Sequence, residues 1–330
     1  MAQIDKPSEY FSPDIWDGNS GTQTISAGGQ RDFVWFKQRN GTRVHRIQDI
    51  LRGVTKTLMT SFNSAEGTET TMITNFNSSG YTTGNDADIN TSGNTYVGWS
   101  WSANGAGISN TAGSITSTVS ANTTSGFSIV SYTGNGSASA TIGHGLGTSN
   151  VGMIITKNRD QPDGWIVYHK SLGANNYLVL QTTDPSGGSA NKYLSVPTPT
   201  TYEIGNSGDM NTNTEAYIAY CFAEVKGYSK MGSYTGNGSA DGTFVYTGFK
   251  PAFVMIKRTD VTEDWVIYDS KRNTYNLANL LLYPNLSTAD TTAVSGVIDI
   301  LSNGFKTRGT SPVVNASGGS YIYMAFAENP

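Results

Sequence analysis

The sequence predicts an all-β protein built from three tandem antiparallel β-sandwich, jelly-roll-like repeats of about 100 residues. Two observations carry this. The octapeptide SYTGNGSA at Ser131–Ala138 returns at Ser233–Ala240, and the landmarks behind it return in step. Short runs of β-formers are broken every 8–12 residues by Gly- and Asn-rich turns, with no sustained helical period.

In chain order, residues 1–15 are polar and carry Pro7 and Pro13, which points to an extended arm. Its Tyr10 and Phe11 are candidate anchors for a partner subunit. A divergent first repeat follows over 16–104. WDGNSG from Trp16 stands in for YTGNGS, DFVWFKQR places Lys37 at the end of an apolar run, and TYVGWSW closes the unit. Ile47–Thr60 has some helical spacing, but the matching stretches YHKSLGANNYLVLQ and YDSKRNTYNLANLLLY read as strand–turn–strand, so strands are expected in all three, with Gly53 and Gly173 in the turns.

Residues 105–125 are rich in Ser, Thr, Gly and Asn and almost uncharged, which reads as a linker, with ITSTV a strand candidate inside it. The second and third repeats span 126–227 and 228–330 without a spacer, so they are expected to pack as a rigid pair with the first more independent. Each runs from YTGNGS through an apolar strand ending in Lys157 or Lys257. A strand opened by Trp165 or Trp265 comes next, and an aromatic strand ending in Glu224 or Glu328 closes the unit. Asn-Gly at 135–136, 237–238 and 303–304 are turn formers.

Composition excludes several functions. A net charge of -4 in 330 residues offers no basic stripe for nucleic acid. The one cysteine, Cys221, allows no disulfide within the chain and no Cys-rich metal site. The start MAQIDKPSEYF lacks a basic segment followed by an apolar one, and no apolar run approaches the roughly 20 residues of a membrane helix, so a soluble product of the cytoplasm is expected.

Candidate chemistry is sparse. His45, His144 and His169 show no metal-ligand spacing. Asp86–Asn94 opens like a calcium loop but lacks the Glu at its twelfth position, and Asn90, Asn211 and Asn315 fall in line as turn-closing residues. GHGLG and GNGS lack the context of a phosphate loop. Lys37, Lys157 and Lys257 read as solvated strand ends, or as partners of an acid such as Asp269. The aromatics Trp165, Tyr168, Trp265 and Tyr268 recur at matched places; each is either a core residue or, with Tyr10 and Phe11, a binding residue. No catalytic residue, metal or cofactor is expected.

Taken together, YTGNGS (Tyr234–Ser239), P-x-F-V-x-I-K-R (Pro251–Arg258), W-V-I-Y-D-S-x-R (Trp265–Arg272), N-G-F (Asn303–Phe305) and Y-x-A-x-A-E (Tyr321–Glu328) resemble a repeat of marine tailed-phage virion proteins, cyanophage- and pelagiphage-like, of the tail-fibre type. The resemblance implies a structural protein of the virion surface, assembled in the host cytoplasm. It would be a tail-associated fibre or receptor-binding protein, with other virion proteins and host glycan or protein as partners and a homotrimer by analogy. A capsid decoration protein is the alternative, and a glycan-cleaving tail enzyme a second one.

Overall fold

The structure, a computed structural model, describes residues 2–329. It is all-β: apart from a 3-10 turn at Pro7–Glu9 and one four-residue helix at Gly208–Asn211, its regular elements are strands in antiparallel sheets. No helix among the described residues is long and apolar enough to cross a membrane.

Three times the chain builds the same main sheet in the same order. In the first unit the opening strand Phe11–Asp17 lies at the edge, beside the closing strand Thr95–Trp101. Phe33–Gln38, Arg46–Asp49 and Lys56–Met59 follow. In the second the order is Phe127–Thr133, Ala216–Ala223, Val151–Asn158, Trp165–His169, Asn176–Val179. In the third it is Ser229–Thr235, Ser320–Asn329, Lys250–Arg258, Trp265–Asp269. Over each main sheet lies a small one: Gln23–Ser26 with Gly80–Thr83 and Ile73–Asn77, then Ala140–Gly143 with Thr201–Ile204, then Phe244–Tyr246 with Gly304–Thr307 and Ile298–Leu301. Gly53 and Gly173 take the left-handed backbone that the strand–turn–strand reading requires, at φ 87° and 77°.

The outer face of each main sheet packs on its small sheet, forming one sandwich core per unit, such as Tyr168 with Tyr193 and Tyr202, or Tyr268 with Phe305 and Tyr323. The inner faces of all three pack on one another in a single shared core. At its centre sit Trp101, Phe222 and Phe326, at matched places on the three closing strands, with ring centroids 5.4–5.9 Å apart. The units therefore form a ring about an approximate threefold axis inside one chain. This explains why Phe33–Gln38, Val151–Asn158 and Trp165–His169 are buried along their whole length. Alternation would have put one face of each strand in solvent; here both faces are covered.

Three expectations fall with this arrangement. Residues 105–125 are not a tether. Ile108–Asn110 pairs with Ser117–Asn122, which pairs along Phe127–Thr133, so the segment widens the second unit's sheet. The first unit is no more independent than the others, because Phe33, Trp99 and Trp101 lie in the shared core. Residues 1–15 are not a free arm either. Ile4 and Phe11 are buried in that core, and Gln3 exchanges two hydrogen bonds with the Lys226 backbone. Arg31, fully buried, donates to the carbonyls of Ser8 and Glu9 and clamps the segment to the first unit. Pro13 is accommodated because its strand is an edge, where a missing N–H costs little.

Candidate functional site

The recurring polar side chains line the seams between units, and each seam is built alike. Lys37, Lys157 and Lys257 are neither solvated nor paired with Asp269. All three are fully buried. Each ammonium donates to carbonyls of the loop that follows its strand: Gly41 at 2.8 Å, Gln161 at 2.9 Å and Glu263 at 2.7 Å. Burial lowers each to about 8. Beside these lysines a loop of one unit docks on the next. Glu66 pairs with Arg159, Ser186 donates to the Thr259 carbonyl, and Asp290 pairs with Arg39. The docking runs first to second, second to third, third to first, and so closes.

A second set of groups follows the same cycle nearer the axis. Asp49 holds Arg52 in a fully buried ion pair and accepts 2.7 Å from the Tyr220 hydroxyl of the second unit. Asp269 holds Arg272 and accepts 3.0 Å from Trp99 Nε1 of the first. At the third seam the place of Tyr220 and Trp99 is taken by Met324, which donates nothing; there the acid is replaced by His169, whose Nε2 lies 3.1 Å from the Tyr323 carbonyl. Burial lowers His169 to about 4, so it is a neutral ring.

Asn90, Asn211 and Asn315 are fully buried. Each exchanges amide hydrogen bonds with the Asn of the recurring GNG-type turn: Asn19, Asn135 or Asn237. They close turns as expected, though turns distant in sequence. In the calcium-like stretch, Asp88 is committed to Arg43 and Arg46. Among the described residues no group of three or more His, Cys, Asp or Glu is placed to hold a metal ion. His45 accepts from Trp35 Nε1, and the His144 ring lies 3.1 Å from the Thr198 carbonyl. Neither meets a hydroxyl nucleophile. Cys221 is buried, its thiol pushed up to about 12 by its apolar surroundings.

The aromatic candidates are corrected for the same reason. Trp165, Tyr168, Trp265, Tyr268 and Phe11 are at most 1 % exposed, so none can meet a partner. The two tryptophans are seam residues: Trp165 Nε1 donates to Met59 of the first unit, Trp265 Nε1 to Val179 of the second. His45 fills the matching slot of the first unit, and its Nε2 finds no partner. Tyr10 is half-buried against Tyr228.

What stays open lies at the end of the ring where the closing strands finish. A cleft of about 870 Å³ forms where the N-terminal segment meets the second and third units. Gln3, Asp5, Glu224, Lys226, Lys230 and Tyr246 are among its lining residues. Tyr246 is 65 % exposed and its strand neighbour Phe244 44 %. On the same end a smaller hollow beside Lys250 and Glu328 carries Tyr275, 86 % exposed. Sequence reasoning missed these rings because they stand outside the repeated landmarks. The usable signal was the opposite one: an aromatic where the other two units have none.

Residues 6–330 match the model of a domain of unknown function, DUF7483. The chain belongs to the DUF7483 family. No curated protein and no solved structure matches it. The DUF7483 match spans all three units as one stretch, in keeping with a core that no unit holds alone.

Proposed function

We propose that this DUF7483 chain is a phage virion surface protein, a tail-associated fibre or receptor-binding module that acts by adhesion and not by catalysis. The observation that carries the reading is a division of labour. The recurring Lys, Asp, His and Asn side chains are consumed in seams and turns, while Tyr246 and Tyr275 stand exposed beside two hollows at one end of a closed β ring. A rigid scaffold with a wet, aromatic end face suits recognition of a host surface. The motif resemblance of the third unit supports the same assignment. Glycan cleavage would need two carboxyls about 5–9.5 Å apart across a cleft with one free to act. In the main cleft, Glu224 is already paired with Lys170 and Lys230.

A capsid decoration role is the second reading, favoured by the approximate threefold axis, which would let one chain sit over a threefold position of a shell. One experiment separates the two. Gold-labelled antibody against the protein, applied to purified virions, is expected to mark the tail. Label on the shell supports decoration, and virions lacking the protein altogether overturn both.

A further inference from the structure

We infer that the cleft beside Tyr246 binds a neutral saccharide, with the Tyr246 ring as its stacking platform; this deepens the adhesion reading and rests on it.

The three units serve as controls for one another. In the small sheets, Tyr246 lies opposite Gly304, and Phe244 opposite Lys306. The same register places Gly143 opposite Thr201 and Thr141 opposite Glu203 in the second unit. In the first it places Ser26 opposite Gly80 and Thr24 opposite Thr82. The residue between them is buried every time: Ile25, Ile142 or Val245. The first unit thus makes this strand with exposed Thr24 and Ser26 at these two positions, and the second with half-buried Thr141 and a Gly143 covered by Asn110, so the fold itself needs no rings there. Exposed aromatic surface contributes to stability only when something covers it.

Gly248, in the left-handed region at φ 88°, lies beside the Tyr246 ring; a β-carbon there would stand 3.5 Å from the hydroxyl. Glu224, elsewhere in the lining, is fixed by its contacts. The Glu224 carboxylate accepts the Met231 N–H at 3.0 Å and pairs with Lys170 and Lys230.

The chemistry of the wall selects the ligand class. The lining holds two acids, Asp5 and Glu224, and two ammonium groups, Lys226 and Lys230, so their charges balance. Nucleic acid needs a positive groove and is disfavoured. A peptide adding to the open edge of Phe244–Tyr246 would find only three residues to pair with. A pyranose presents an apolar C–H face to a ring and hydroxyls that both donate and accept. A platform flanked by carboxylate, amide and ammonium groups fits it. The volume accommodates a short oligosaccharide.

The test is titration of the full-length protein with neutral tri- and tetrasaccharides of the glucose, galactose and N-acetylglucosamine series, followed by saturation-transfer NMR and calorimetry. At least one series is expected to bind. Tyr246→Ala should weaken it about tenfold or more, with an unchanged melting curve, and Tyr246→Trp should retain it. Four outcomes would overturn the inference: no binding across the panel, undiminished binding by Tyr246→Ala, tighter binding of sialylated or sulfated oligosaccharides, or equal capture of deglycosylated host envelope protein. Virion labelling is independent of all of these. Tail label without saccharide binding sinks the inference alone, and saccharide binding by a protein absent from virions sinks the phage reading alone.

Discussion

At the scale of single residues, the seams turn on a few side chains that reach across units. Trp265 is 1 % exposed and donates to Val179 of the neighbouring unit. Trp265→Ala is expected to cost roughly 3–5 kcal/mol, through lost burial, a cavity and the lost hydrogen bond across the seam. Thermal or denaturant unfolding measures it; a variant that melts like the parent would remove Trp265 from the core. His169 gives the seam a pH dependence. In the unfolded chain its ring takes a proton near 6.5, whereas in the fold it resists until about 4. Between those values the unfolded state binds more protons, so stability falls as pH falls through that window, by up to about 3 kcal/mol from this ring. His169→Gln should flatten that part of the stability–pH curve, read by denaturant midpoints at pH 7 and pH 4.5.

At the scale of elements, much was legible and one thing systematically was not. The third unit's strands fall where its apolar runs stand, and in the first two units the strand–turn–strand after the Trp slot follows from Gly53 and Gly173 in left-handed turns. AFVMIK and GMIITK, however, are continuous apolar runs, the signature of strands buried on both faces. Without that inference the shared core goes unseen, and Trp165 and Trp265 stay open as either core or binding residues. The Ser/Thr/Gly composition of 105–125 misled for a related reason. A short strand near the margin of a sheet with a partly wet face needs little apolar content, so Ser117–Asn122 looks like a tether while its backbone pairs fully along Phe127–Thr133. The exposed Tyr246 was hidden because repeats draw the eye to what recurs. The same reassessment governs the N-terminal segment: deleting residues 1–13 removes Phe11 from the core, and the melting temperature should drop markedly in a calorimetric scan.

At the scale of the whole molecule, the shared core ties three units into one cooperative body. A fragment 105–330 would bare the seam partners of the first unit, including the face around Phe222 and Phe253. It is expected to aggregate or lose its sharp unfolding transition, by size exclusion and circular dichroism, whereas the full chain should unfold in one step. The intact protein should run as a single 35.2 kDa chain in light scattering, since the inner faces a homotrimer would use are already filled from within.

Carrying the threefold inside one polypeptide changes how the surface can vary. In a ring of three identical chains, every substitution on an end loop appears three times, and any change that harms a seam harms all three. In the fused ring each unit is free to differ. Asp49 and Asp269 keep their acid while His169 gives it up, and Tyr246 and Tyr275 stand on one unit alone. A single chain of this kind engages its ligand once. Under the adhesion role proposed above, strong attachment would come from the number of chains a particle displays, so adhesion should rise steeply with copy number although each contact stays weak.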